Sequence, residues 1–401
     1  MDYKSVYLVF EKLSGTGGGV GSLFLRMIDW CQTRGIKCQL LIRIIDENLK
    51  GRYESLGANV VVIQQKNFPK YVSNYLNTCE AGVVFTVDFH MFGCVKNYLL
   101  SQHKILYYVV YTYGLFNGTA TGLNRLITKI KNFIFRRQYV YSYMVSGNIL
   151  FMDTNCLNTT LDYYGFSYST FPNSILHLPI KVNELNESDI KFRAKSKDSR
   201  FEILSISRAV FPFKGYLLGL LDDCMELFGK DSNICLTIIS YGDRYKEIVR
   251  RAQCLNQQYG DRIKLINGIS NDELPYFYRS ASLYIGMGTT VLEAANYGVP
   301  VLLAKAYDNR FLTSGYFSEH PDSILAEGDV RHGINDVLGI KAMEFSEYSL
   351  LEKESNEALR KNYDISIFMN HIIRCKPKKG VGVIGNMLFQ MDHFISEWLY
   401  K

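Results

Sequence analysis

The chain has 401 residues, 47% of them apolar, and a net charge of +6. That length accommodates two ordinary domains with sizeable cores, and the mild basicity permits an anionic partner without arguing for nucleic acid. No paired Cys/His spacing or aromatic RNP-like strand points to nucleic acid, and nine scattered cysteines without Cys-x-x-Cys favour reduced thiols in a cytoplasmic protein over a disulfide framework.

Met1 leads into charged residues and a short strand-like run, so we expect no signal peptide, and no apolar run is long enough to span a bilayer. Residues 5–10 read as the first strand. The run Leu13-Ser-Gly-Thr-Gly-Gly-Gly-Val-Gly-Ser22 follows, then an amphipathic helix at 23–34. Further strands are expected at 39–45, 58–63, 83–87 and 105–110. Strands alternating with helical stretches predict a parallel sheet covered on both faces, with ligands at the carboxyl ends of its strands.

The glycine loop either makes a tight turn or lets backbone approach a phosphate, and Gly18 and Gly19 are the candidates for close approach. A dinucleotide fingerprint does not fit. Counted from Gly15 its third slot is Val20, and from Gly17 it is Ser22. Asp46, at the end of the second strand, would suit a ribose. It keeps open a dinucleotide reading, an NAD(P)-dependent enzyme, as an alternative.

Asp88 and His90 follow the strand at 83–87, and Tyr113 follows the one at 105–110, where polar groups would face a cleft. His90 is a candidate for proton chemistry or a solvated surface histidine. Over 123–139, Leu123, Leu126, Ile127, Ile130 and Ile134 recur at helical spacing among Arg125, Lys129, Lys131, Arg136 and Arg137. Such a helix either lies on an anionic membrane surface, making the protein peripheral on the inner face of the membrane, or packs on a core with its basic face solvated.

Residues 183–200 are polar and read as a linker between a first domain at 1–182 and a second at 201–375. In the second, the strand at 202–207 runs into Arg208. Then come the apolar loop Ala209-Val-Phe-Pro-Phe213 and Lys214-Gly215. The strand at 236–240 ends in Gly242, and the one at 262–266 ends in Gly268 and Ile269. Ser270-Asn-Asp-Glu273 reads as a capping box. Next is Gly286-Met-Gly-Thr-Thr-Val-Leu-Glu-Ala-Ala-Asn-Tyr-Gly-Val-Pro-Val301, which reads as loop, helix, turn and strand. Thr289 and Thr290 sit where an N-cap belongs, and amides after Gly288 would face an anion. Glu293 either completes a capping box with Thr290 or accepts hydrogen bonds from a ribose. The segment 376–401 carries a last amphipathic helix at 389–400, with Phe394 and Trp398 on one face, expected to pack back on the first domain.

The second half resembles the retaining GT-B glycosyltransferases of family four. Three stretches carry the resemblance: Ile203-Leu-Ser-Ile-Ser-Arg208 with Lys214-Gly215, the strand ending in Gly242, and Leu292-Glu-Ala-Ala-Asn-Tyr-Gly-Val-Pro-Val301. The resemblance implies an α/β GT-B fold of two doubly wound Rossmann-like domains facing a cleft. It implies transfer of a sugar, with retention, from a nucleoside-diphosphate sugar to a glycan or lipid-linked saccharide in surface polysaccharide synthesis. Arg208 and Lys214 would hold the diphosphate and Glu293 the ribose, with Gly242, Gly268, Ile269, Gly288, Thr289 and Thr290 completing the donor site. The family's earlier glutamate falls here at Ile285, and its first-domain histidine at Tyr113, with His90 the nearest substitute by chemistry. These departures support a second alternative, a non-catalytic sugar-nucleotide-binding partner of another transferase. Without an Asp-x-Asp, the cation pair and a helix N-terminus are expected to replace a metal, and no cofactor is expected beyond the co-substrate.

Overall fold

The structure is a computed structural model that describes residues 3–13, 18–112, 114–115, 132–171, 174–270, 272–374 and 387–391. The chain divides into two compact units, residues 1–179 with 365–401, and residues 180–364.

The first unit is a six-stranded parallel sheet in the order β3-β2-β1-β4-β5-β6, formed by β1 (Ser5–Leu13), β2 (Lys37–Ile45), β3 (Asn59–Val62), β4 (Val83–Thr86), β5 (Lys104–Val109) and β6 (Ile149–Phe151). Its central strands are nearly continuous apolar runs. Every residue of β4 and β5 is buried, as a parallel sheet covered on both faces requires. On one side of the sheet Phe89 and Tyr107 lie 5.2 Å apart, and Phe92 and Tyr143 5.0 Å apart.

Two C-terminal pieces complete this unit. Phe368, on the helix Ile365–Arg374, packs 5.9 Å from Phe85 and 5.2 Å from Tyr108. Phe389 packs 5.5 Å from Tyr139, over a surface where a Cβ on Gly93 would collide with its ring. Phe394 and Trp398 lie outside the described residues. The expected second domain at 201–375 therefore gives its last helix to the first unit. The reason is local: Asp364 adopts an extended conformation and separates the helix Phe345–Tyr363 from the next one.

The second unit is a five-stranded parallel sheet in the order β11-β10-β7-β8-β9, formed by β7 (Phe201–Arg208), β8 (Ile234–Tyr241), β9 (Ile263–Asn267), β10 (Leu283–Gly286) and β11 (Val301–Leu303). The chain steps outward from β7 through β8 to β9, then returns to β10 and β11 on the other side of β7. The order therefore reverses beside β7, where open sheets of this kind bind ligands. With the strand order observed, the right-handed rule for parallel crossovers assigns the helices Tyr216–Lys230 and Tyr245–Tyr259, which touch one another, to one face and Leu274–Ser280 and Thr289–Asn296 to the other.

The expected linker at 183–200 contains the helix Glu187–Ser196, an integral part of this unit. Asn186 caps it by accepting from the Ser188 amide at 3.0 Å. Its Arg193 is fully buried, with Nε donating to Glu352 at 2.6 Å and Nη2 to the Tyr297 carbonyl at 3.0 Å. Polar composition there marks a buried ion pair rather than a solvated tether.

Candidate active site

Arg208 is the last residue of β7, exposed and in register with Tyr241 on β8. Its side-chain stem runs beside Gly242, whose φ of 113° lets the backbone turn away at the end of β8. The Arg208 guanidinium has no hydrogen-bond or ion-pair partner among the described residues. The loop that follows is pinned by its own backbone: the Lys214 amide donates to the Val210 carbonyl at 2.8 Å and the Gly215 amide to the Pro212 carbonyl at 3.0 Å. Phe211 and Phe213 pack on the core of the unit, which accounts for an apolar loop at this position.

The Lys214 ammonium points at the end of β10. It donates to the Met287 carbonyl at 3.1 Å and lies 5.1 Å from the centre of the Phe213 ring. A Cβ on Gly288 would stand 3.7 Å from it. No carboxylate pairs with Lys214 among the described residues, and burial lowers its pKa to about 8. A cation held in this way, beside the positive end of a helix, favours an anion.

The cap of that helix differs from expectation. Gly288, at φ 83° and ψ −155°, is the N-cap of Thr289–Asn296, and no side chain caps it. Thr289 and Thr290 are the first two helical residues rather than the cap. The Thr290 hydroxyl accepts from Tyr284 Oη at 2.5 Å and donates to the Ile206 carbonyl at 3.3 Å, so it is committed to the neighbouring strands. The Thr290–Glu293 capping box does not form. The amides of Thr289 and Thr290 have no acceptor among the described residues, while Gly288 itself donates to the Ile324 carbonyl at 2.7 Å. Glu293 is half-buried and accepts from Tyr278 Oη at 3.1 Å.

Gly268 ends the β9 segment at φ 65°, with its amide on the Ser240 carbonyl at 3.1 Å, and Ile269 beside it is half-buried. The Glu273 carboxylate does reach back to the Ser270 amide at 3.1 Å and hydroxyl at 2.8 Å. The helix nevertheless starts later than the capping box implied, at Leu274–Ser280. The fold thus brings Arg208, Lys214, Gly242, Gly268 and Gly288 to the carboxyl ends of one sheet. Phe213, Met287 and Tyr278 are the partners that sequence reasoning missed. Only Phe213 left a local signal, in the apolar loop.

In the first unit, Gly18 opens the helix Gly18–Thr33 after β1. A Cβ on Gly19 would meet nothing within 4 Å, so the protein's own packing does not require glycine there. Asp46 caps the helix Glu47–Ser55 by accepting from the Asn48 and Leu49 amides, which occupies the carboxylate proposed for a ribose. Asp88 likewise caps Phe89–Tyr98, accepting from the Met91 amide at 2.8 Å. His90 is exposed on the first turn of that helix, with Nε2 3.6 Å from Cys94 Sγ. Tyr113 lies outside the described residues.

So does most of the stretch at 123–139. Its described end enters a π-turn at Asn132–Arg136 and the helix Arg137–Val145. There Arg136 is buried with Nε donating to Tyr139 Oη at 2.8 Å, and Arg137 Nε donates to the Tyr164 carbonyl at 2.6 Å. These two cations serve the fold. No helix among the described residues is long and apolar enough to cross a membrane.

No family model matches the sequence, and no curated protein matches it. Solved structures do resemble it. HepE from Anabaena, in complex with UDP, is 13% identical and superposes with a TM-score of 0.63, covering 91% of this chain and 98% of that one. A glycosyltransferase from Rickettsia africae is 12% identical with a TM-score of 0.62, covering 94% of this chain and 100% of that one. WaaG, a glycosyltransferase involved in lipopolysaccharide biosynthesis, is 14% identical with a TM-score of 0.53, covering 92% and 100%. Likeness at this identity speaks to architecture: two parallel-sheet Rossmann-like units in the GT-B fold.

Proposed function

We propose that the chain is a sugar-nucleotide-dependent glycosyltransferase, of the retaining type that its second half resembles. One observation carries this reading. Among the described residues the Lys214 ammonium has no carboxylate partner, and it stands at Gly288, where two amides without an acceptor among those residues open a helix. That arrangement suits a diphosphate. In the reaction the bond from the anomeric carbon to the diphosphate oxygen breaks, its electron pair stays on the diphosphate, and an acceptor hydroxyl oxygen takes the carbon as its proton passes to the departing diphosphate. Charge grows on the leaving group, where Lys214, Arg208 and the Thr289 and Thr290 amides stabilise it. Glu293, presented from the same helix, accepts hydrogen bonds from the ribose.

HepE has been solved with UDP-glucose, and WaaG acts in lipopolysaccharide biosynthesis. By analogy with them, we propose a nucleoside-diphosphate hexose as donor and a glycan or lipid-linked saccharide as acceptor, in surface polysaccharide synthesis at the cytoplasmic face of a membrane. The cations on the diphosphate make the proposed reaction independent of metal, so turnover should persist in EDTA. Activity lost in EDTA and restored by magnesium or manganese would overturn that part.

Thermal-shift screening against sugar nucleotides, followed by assay of nucleoside diphosphate release, tests the whole reading. Stabilisation by at least one donor, with release above the buffer rate, is the expected result. Ile285, fully buried in β10 where the resembled family has its first glutamate, favours a second reading as a non-catalytic donor-binding partner. Donor binding without release or transfer would select it.

A further inference from the structure

Tyr307 follows β11 and has a φ of 59°, the only non-glycine residue with positive φ among the described residues. A bulky side chain in the left-handed region is strained, and such strain persists where the surroundings impose it. Here the loop is closed at its base by the Lys305 amide on the Leu312 carbonyl at 3.0 Å. Asp308 accepts from the Arg310 amide at 3.0 Å and holds the turn. The Tyr307 amide donates to the Phe213 carbonyl at 3.1 Å, and the two rings lie 5.0 Å apart. Yet the residue is 67% exposed, so burial returns little for the strained backbone.

Its position says what the ring is for. Gly215 is required because a Cβ there would collide with Asn309 Oδ1 and the Asp308 carbonyl. That contact seats the 307–309 loop at the start of the helix Tyr216–Lys230, on one face of the sheet. Glu293, bonded to Tyr278, belongs to helices of the other face. Lys214 and Gly288 lie at the strand ends between the two. A sugar nucleotide with its diphosphate at Lys214 and its ribose on Glu293 therefore sends its hexose toward Tyr307.

We propose that Tyr307, backed by Phe213, is the aromatic platform on which the hexose of the donor stacks, through the apolar C–H face of the pyranose. This rests on the glycosyltransferase reading and adds the residue that separates a sugar nucleotide from a bare nucleoside diphosphate. The nucleobase has the weaker claim on this ring, because it lies beyond the ribose, on the far side of Glu293.

The test titrates UDP-glucose, UDP-galactose, UDP-N-acetylglucosamine and GDP-mannose, each beside UDP or GDP, against the full chain and two variants. Tyr307→Asn removes the ring and accepts a left-handed backbone; Tyr307→Phe keeps the ring. Tyr307→Asn should bind the preferred sugar nucleotide about tenfold more weakly, the scale of one aromatic contact. Its affinity for the matching diphosphate should stay within about twofold, and its melting temperature should equal or exceed that of the wild type. Tyr307→Phe should match the wild type throughout. Equal losses for sugar nucleotide and diphosphate, no loss at all, or a lower melting temperature for Tyr307→Asn would overturn the platform and leave the glycosyltransferase reading standing. If no sugar nucleotide or diphosphate binds the wild type, that reading falls and the platform with it.

Discussion

Arg193 and Lys214 are both cations drawn into the second unit, one on the helix Glu187–Ser196 and one at the carboxyl end of the sheet. Arg193 is answered inside the protein by the Glu352 carboxylate and by the carbonyl of Tyr297. Burial pushes the Glu352 carboxyl up to about 7 in spite of the arginine beside it, and its second oxygen has no partner among the described residues. Lys214 receives one carbonyl and the face of Phe213. A buried charge needs compensation. Where the described residues supply it, the cation fastens structure; where they do not, the cation is open to the diphosphate proposed above.

The largest effect should come from unpairing the first cation. Arg193→Ala leaves Glu352 buried and alone, and should lower stability by about 3–5 kcal/mol. Arg193→Met combined with Glu352→Leu removes both charges and should recover most of that loss. Urea unfolding checks both. A single variant within about 1 kcal/mol of the wild type would mean that Arg193 does not fasten this region.

Lys214 should show the opposite balance. Its lowered pKa means that the charged form costs stability below about pH 8, a cost that disappears as pH rises toward the unfolded value near 10.5. Lys214→Met should therefore melt no lower than the wild type at pH 7. On the proposed function turnover should fall by 10²–10³, equivalent to about 2.7–4 kcal/mol, because a donor to the leaving group would be gone. Arg208→Ala should lose a similar factor, and the double variant less than the product of the two. A folded single variant that turns over within about threefold of the wild type would remove that residue from the diphosphate.

Glu293 is next. Because Gly288 caps the helix without a side chain, loss of a capping box is no longer an explanation for any effect at Glu293. Glu293→Gln keeps an acceptor for Tyr278 and removes the charge. Nucleoside diphosphate affinity should fall by about 1.5–3 kcal/mol, as for a hydrogen bond to a charged group, with little change in melting temperature. Unchanged affinity by calorimetry would take Glu293 off the ribose.

What the sequence made legible here is what local pattern controls. The strands around Arg208 and Gly242 are apolar runs ended by turn residues, so local pattern alone puts both positions at strand ends. What stayed hidden depends on partners far along the chain. The helix at 187–196 looked like a tether because Arg193 finds its carboxylate 159 residues away. Thr290 and Glu293 have the spacing of a capping box, but the Thr290 hydroxyl is drawn to Ile206 across the sheet. The strain at Tyr307 is a backbone torsion that no local pattern announces.

The smallest expected effect is also the most direct reading of the uncompensated cation. Free Lys214 has a pKa of about 8, lowered by burial. A bound diphosphate beside the ammonium favours the charged form and raises that pKa. Binding above pH 8 must therefore take up a proton, and affinity should fall as pH rises from 7 to 9 by about tenfold, or roughly 1.4 kcal/mol. The ligand does not supply this change, since a phosphate with a second pKa of about 6 is ionised across the range. Lys214→Arg stays charged throughout and should flatten the profile, even if guanidinium geometry weakens binding at every pH. Calorimetry at pH 8.5 in two buffers of different ionisation enthalpy would detect the proton directly. An apparent binding enthalpy that does not change with buffer, together with wild-type affinity constant from pH 7 to 9, would mean that Lys214 is charged before the ligand arrives. Its compensation would then already lie within the protein, and the contrast with Arg193 would not hold.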